Sequence, residues 1–225
     1  LQLLPTESWQ ESYDLTLTLH NLAAETAYLN GAFEQMILWS ELVLDKAANT
    51  LDQVKVYTVK ILALTSQQKF SEILETGLEI LNKLGVNLPT SPNQADTEKE
   101  LAETKSIVNQ IGIEKLIDLP RMKDPNSLAA LEIMKVIIPP TGMIIPLLCM
   151  LMTTSATKLS INHGNSAISP YIYSCQSLFL ATTDLKACCQ FSELALELLK
   201  QLDDKEADVK TLITVGAFVH HWKYH

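Results

Sequence analysis

Apolar positions recur at helical spacing along most of this chain, and one seven-position pattern occurs three times. Its first copy is Phe33, Met36, Ile37, Ser40, Val43, Leu44 and Ala47. A second copy lies 37 residues on, at Phe70, Ile73, Leu74, Gly77, Ile80, Leu81 and Leu84. The third is Leu185, Cys188, Cys189, Ser192, Ala195, Leu196 and Leu199. A helix with such a stripe buries it, and the small residue at the centre of each copy lets a neighbouring helix come close. Recurrence at this period is the signature of helix-pair repeats.

The intervening sequence supplies more helices and their ends. Ser8 and Glu11 have capping-box spacing, so a first helix is expected from about Trp9, with Leu15, Leu19 and Leu22 on one face and Asn30-Gly31 closing it. Thr50 and Gln53 open the next, with Val54, Tyr57, Ile61 and Leu64 inward. Gly85 closes the second copy, and residues 86–93, with Pro89 and Pro92, read as a loop. A polar helix over 96–110 follows, then a short one stopped by Pro120. Asp124-Pro125 is a favourable helix start, and that helix is expected to break at Pro139-Pro140. Buried helices are expected over 141–162 and 167–182, then the third copy, then a last helix over 205–222 with Leu212, Val215, Phe218 and Val219 in phase.

The expected fold is all-α: antiparallel helix hairpins stacked as a tetratricopeptide-like superhelix with a Pro-rich irregular middle. It divides into helix pairs over 1–85, a linker loop with short helices over 86–140, and helix pairs continuing the array over 141–225, as one continuous helical domain. Seven glycines in 225 residues agree with helices rather than a many-turned β fold.

Charge and cysteine usage narrow the function. Net charge is −9, and Arg121 is the one arginine, so no basic face is available for phosphates; neither nucleic acid nor an anionic membrane is an expected partner. Cys149, Cys175, Cys188 and Cys189 lie in apolar helical contexts without a CxxC, which points to reduced core thiols. The uncharged run 136–152 is at the short limit for a membrane span and is interrupted by three prolines, so it reads as a buried kinked element, with no transmembrane segment expected. The chain opens without a secretory signal layout, and a cytoplasmic setting is expected.

Chemistry-bearing residues are sparse. His221 and His225 are spaced i, i+4 beside His220, but no third ligand type and no HExxH glutamate accompany them, so a solvated helix end is favoured over a metal site. His163 sits at a helix end where it can cap carbonyls, and His20 reads as a hydrogen-bonded residue of an inter-helix groove. No carboxylate pair stands in an apolar setting as acid–base work requires, so no catalytic residue, cofactor or metal is assigned. Trp39 falls off the buried stripe, and with Tyr28 and Trp222 it forms the candidate interaction surface, weighed against packing on a neighbouring helix.

The turn NGAFEQM (30–36), with Gly31 and Phe33 at the glycine and aromatic positions, resembles that of the tetratricopeptide repeat; Met36 replaces the usual Ala, and the Trp and closing Pro are missing. Longer phrases resemble a narrower family: YDLTLTLHNLAAETAYLNGAFEQM (13–36), KVYTVKILAL (55–64), GIEKLIDLPRMKDP (112–125), KLSINHGNS (158–166) and HHWKYH (220–225). It is the helical region after the AAA-type ATPase domain in large bacterial, notably cyanobacterial, serine/threonine kinases that also carry two-component sensor domains. The resemblance implies a non-catalytic scaffold that couples ATPase and kinase to sensor through protein contacts, with partners in the same parent chain or its signalling partners. It says nothing of oligomeric state. No nucleotide loop, HRD or DFG triplet, or histidine-kinase box is present in this sequence. The alternative is a small-molecule sensor whose pocket lies between residues 136–152 and 171–180.

Overall fold

The computed structural model describes residues 5, 7–202 and 205–219. Among them there is no strand, only an isolated bridge between Arg121 and Asn165, so the chain is all-α. Its contacts divide it into two compact units, Leu1–Asn87 and Leu88–His225.

The first unit holds α1 (Ser8–Glu11), α2 (Tyr13–Leu29), α3 (Phe33–Lys46), α4 (Thr50–Ser66) and α5 (Phe70–Lys83). Helices α2 and α3 pack together, as do α4 and α5. Both pairs turn the same way. At the end of α2, Gly31 at φ +72° lets its own N–H reach Tyr28 O and the Ala32 N–H reach Ala27 O at 2.8 Å. This closure satisfies carbonyls that the helix end leaves unpaired. At the end of α4 the same two bonds recur, from Gln68 to Thr65 O and from Lys69 to Leu64 O, with Gln68 at φ +56°. Gln68 stands 37 residues after Gly31, so the repeat keeps its turn geometry even where glycine has been lost.

Most positions of the repeated stripes point inward in this unit, but Ile37 of the first copy is 46% exposed. Met36, Ser40 and Val43 of α3 and Ile73, Gly77, Ile80 and Leu81 of α5 are buried. One cluster joins Ala27, Met36, Val59 and Ala63; another joins Ala24, Val43 and Val56. Three local expectations differ from the structure. Ser8 lies inside α1, and the chain breaks at Ser12 before α2 begins. The cap of α4 is Asn49, whose side chain accepts from the Asp52 N–H at 3.1 Å. Most consequentially, α2 buries Thr16, His20, Ala24 and Ala27, while Leu15 and Leu22 are more than half exposed. Small side chains there admit close approach of α3 and α4, which is why the leucines face outward.

The second unit holds α6 (Gln94–Ile111), a 3-10 turn (Ile113–Asp118), α7 (Pro125–Ile144), α8 (Pro146–His163), α9 (Ser169–Leu180), α10 (Leu185–Leu198), α11 (Lys205–Ile213) and a π-helical turn (Thr214–Val219). Asn93 and Asp96 form a reciprocal capping box for α6. Asp124 caps α7 through the Ser127 N–H at 2.7 Å, with Pro125 in its first turn.

Pro139 and Pro140 do not break α7, which continues to Ile144. Proline lacks the N–H that would bind the carbonyl four residues back. The carbonyl orphaned by Pro139 is that of Lys135, and the Lys210 ammonium of α11 donates to it at 3.2 Å. A tertiary hydrogen bond thus replaces one of the two helical bonds that the prolines remove. The break comes at Ile145, with Pro146 opening α8. Helix α7 is the described helix long and apolar enough to cross a membrane, and 67% of its apolar window is buried, as expected of a core helix.

In α10 the stripe is rotated from the expected one. Leu185 is exposed, whereas Phe191, Leu194 and Leu198 join Cys188, Ser192 and Ala195 inside. Phe191 is a larger apolar surface than Leu185, and its ring meets the buried Tyr173 ring at 5.8 Å, tilted by 39°, which favours the rotation. The last expected helix becomes α-helical only to Ile213; Val215 and Val219 are buried, but Leu212 and Phe218 are exposed.

Two distant stretches, 112–125 and 158–166, meet in this unit. Gly164-Asn165 lies against Pro120–Met122: the Asn165 N–H donates to Pro120 O at 2.8 Å, and the Met122 N–H donates to Asn165 O at 2.9 Å. The Asn165 side chain donates to Leu116 O at 2.7 Å and accepts from the Tyr173 hydroxyl at 2.9 Å. Gly164, not His163, closes α8; its N–H reaches Ser160 O at 2.9 Å, and the His163 ring is exposed.

Candidate functional site

Among the described residues, each unit carries a concave surface. In the first unit a groove runs between α2 and α3, lined by Leu19, Leu22, Thr26, Gln35 and Trp39. Trp39 is half-buried against Ala24, Val43 and Val56, and its ring meets His20 edge-on at 5.6 Å. His20 is buried, with Trp9 at 5.0 Å on its other side and Nδ1 at 2.7 Å from Thr16 O. That is the hydrogen-bonded groove residue the sequence suggested. Tyr28 packs half-buried on Ala27, Met36, Val59 and Ala63. Trp222, His220, His221 and His225 lie outside the described residues.

Helix α2 also carries a stripe of exposed leucines, of which Leu22 lines this groove. Leu15, Leu22 and Leu29 are 57%, 52% and 74% exposed and recur every seventh residue, so they share one side of the helix. Thr26 lies on the same side, and Leu19 is half-buried beside it. A helix that buries threonine and alanine while presenting leucine to solvent has apolar surface in reserve.

In the second unit a cleft of about 290 Å3 opens between α6, the end of α9 and the start of α10. Leu101, Val108, Ile113, Leu180, Ala187 and Phe191 make its apolar walls. Lys105 and Asp184 stand among its lining residues and pair at 3.3 Å. Asp184 also caps α10 through the Ala187 N–H at 3.1 Å, and that bond holds its carboxyl below the usual aspartate range, helped by Lys105. Two buried polar side chains belong to the lining, Thr104 and Gln176, each 3% exposed. The expected pocket between 136–152 and 171–180 is displaced: of that set only Gln176 and Leu180 reach this cleft, while Ile137, Leu148, Met152 and Ile172 are fully buried core. Sequence reading took α6 as a polar helix and missed its part in the cleft. The signal was the Thr97, Leu101, Thr104, Val108 series at helical spacing.

The thiols sit deep in this unit. Burial pushes Cys149 up to about 11 and Cys175 up to about 12, so neither carries a usable thiolate near neutral pH. Burial likewise raises the Tyr171 and Tyr173 hydroxyls well above the usual phenol range. Lys158 ties α8 to α6 through Glu100 at 2.6 Å and Glu103 at 3.2 Å. Burial alone lowers its ammonium, but the two carboxylates outweigh that and hold it above the usual lysine range. Among the described residues, no group of three or more His, Cys, Asp or Glu is placed to hold a metal ion.

Compared with known proteins, the chain matches no family model, no curated protein and no solved structure.

Proposed function

We propose that this chain is a non-catalytic, tetratricopeptide-like regulatory module of a cytoplasmic signalling kinase, working by binding helical segments of other protein domains. The observation that carries this reading is the leucine stripe of α2, with Leu15, Leu22 and Leu29 outward and threonine, histidine and alanine inward. An amphipathic helix laid into a groove reads such a seven-residue spacing directly. Hairpins that cannot bury their apolar faces alone gain stability by stacking, and the paired α2–α3 and α4–α5 with their matching turns fit that logic. The kinase context rests on the resemblance of the five phrases named above, an analogy rather than a derivation.

The test is a pull-down of the parent's ATPase and sensor segments, separately, by this chain and by its Leu22→Asp, Leu29→Asp variant. Both leucines are solvent-facing, so the variant keeps its helical circular dichroism. Expected is capture of one segment by the native chain and at least a tenfold loss in the variant. The coupling role is wrong if neither segment binds and the parent's kinase output survives deletion of residues 1–225.

A further inference from the structure

We propose that the cleft between α6, α9 and α10 is a binding site for a small, largely apolar molecule that presents one hydrogen-bond acceptor. This goes beyond the protein-contact reading, lies in the other unit, and stands or falls separately from it.

The argument begins with Thr104. Inside a helix a threonine hydroxyl ordinarily returns its proton to the carbonyl one turn back. Thr16, Thr58, Thr65, Thr141, Thr157 and Thr211 all do so here, at 2.7–2.9 Å. Thr104, which lines the cleft and is 97% buried, does not: its Oγ1 has no hydrogen-bond partner. A buried hydroxyl without a partner is destabilising, and a bound acceptor removes that cost.

Gln176 adds a second donor. Its side-chain oxygen accepts from the Thr154 hydroxyl at 3.4 Å. Its amide nitrogen is therefore the end left to donate. Both polar groups buried in the lining thus offer N–H or O–H, and the ligand must answer with a carbonyl, ether or carboxylate oxygen. Lys105 and Asp184, both in the lining, pair at 3.3 Å, so the charged part of the wall is neutral overall and leaves the choice to the buried donors. The walls supply the rest of the affinity, since seven aliphatic or aromatic side chains line the cleft with these donors. A volume of about 290 Å3 lies at the small end of ligand pockets. An apolar wall with a few convergent polar groups is what a specific small-molecule site requires.

Three probes on one skeleton test this: 4-phenyl-2-butanone, 4-phenylbutanoate and 4-phenylbutylamine, titrated into the full chain by ligand-observed NMR. The ketone and the carboxylate are expected to saturate one site with Kd below about 1 mM, and the amine to bind at least tenfold more weakly. Thr104→Val keeps the shape and removes the unpartnered hydroxyl. It is expected to melt no lower than the native chain and to bind the ketone about fivefold to tenfold more weakly, whereas Thr104→Ser retains binding. Ala187→Leu, which narrows the cleft, is expected to lower affinity for both acceptor probes. Absence of saturation by the ketone and the carboxylate overturns the proposal. So does equal binding of all three probes, or ketone binding unchanged in Thr104→Val.

Discussion

Replacing Gly164 by alanine is the sharpest perturbation of the junction that holds the second unit together. Gly164 sits at φ +100° and ψ 172°, a region that residues with a Cβ hardly populate. An added Cβ would also fall inside van der Waals contact of Pro120 O and 3.0 Å from Pro120 C, both backbone atoms that cannot rotate away. The backbone strain is about 1–3 kcal/mol. Pushing the Pro120 carbonyl aside also weakens the 2.8 Å bond from the Asn165 N–H, and with it the 2.9 Å bond from Met122, at about 1 kcal/mol each. The sum is about 3–5 kcal/mol. Gly85→Ala is the control, because Gly85 has φ +90° but nothing within 4 Å of an added Cβ, so it costs strain alone, about 1–2 kcal/mol. Hydrogen exchange of peptides covering 116–124 and 160–168, alongside urea unfolding, separates the two variants. Gly164→Ala should accelerate exchange in both peptides and lower the unfolding free energy by about 2–3 kcal/mol more than Gly85→Ala. Equal destabilisation by the two substitutions would refute the reasoning, since the contact with Pro120 would then contribute nothing.

Two further predictions follow from side chains that act at a distance. Lys210→Met keeps the apolar stem but withdraws the donor from Lys135 O and the partner from Glu206; it should cost about 1–2 kcal/mol and speed amide exchange around Pro139, read by the same peptide method. In the first unit the Lys83 ammonium hydrogen-bonds Glu79 at 2.7 Å, and the Tyr57 hydroxyl donates to the same carboxylate at 2.6 Å. Together they hold Glu79 below the usual glutamate range, its value when unfolded being near 4.5. A depressed folded value means the contribution is complete above about pH 4.5 and is lost as pH falls through the folded value. Being half exposed, the pair is worth under about 1 kcal/mol. Carbon-detected titration of the Glu79 carboxyl should show a midpoint that rises in Lys83→Ala; an unmoved midpoint would remove Lys83 as the cause.

Local features of this chain were written in its order of residues. Helices α3, α5 and α10 begin at Phe33, Phe70 and Leu185, the first positions of the three repeated stripes. Gly31, Gly85 and the Asp124-Pro125 start act where their backbone chemistry directs, because caps and turns depend on neighbours within a few residues. What each helix buries was decided elsewhere. The spacing puts Leu15, Leu19 and Leu22 on one face of α2, yet close packing by α3 and α4 buries Thr16, Ala24 and Ala27 instead. In α10 Phe191 is buried and Leu185 is not, with the Phe191 ring against that of Tyr173, eighteen residues earlier. Pro139-Pro140 carries an intrinsic helix-breaking penalty, but the compensating donor, Lys210, comes from 75 residues away. The cleft draws on α6, α9 and α10, so no single stretch of sequence contained it. Periodicity specifies that a helix has a buried side; only the partners brought against it by the tertiary structure decide which side that is.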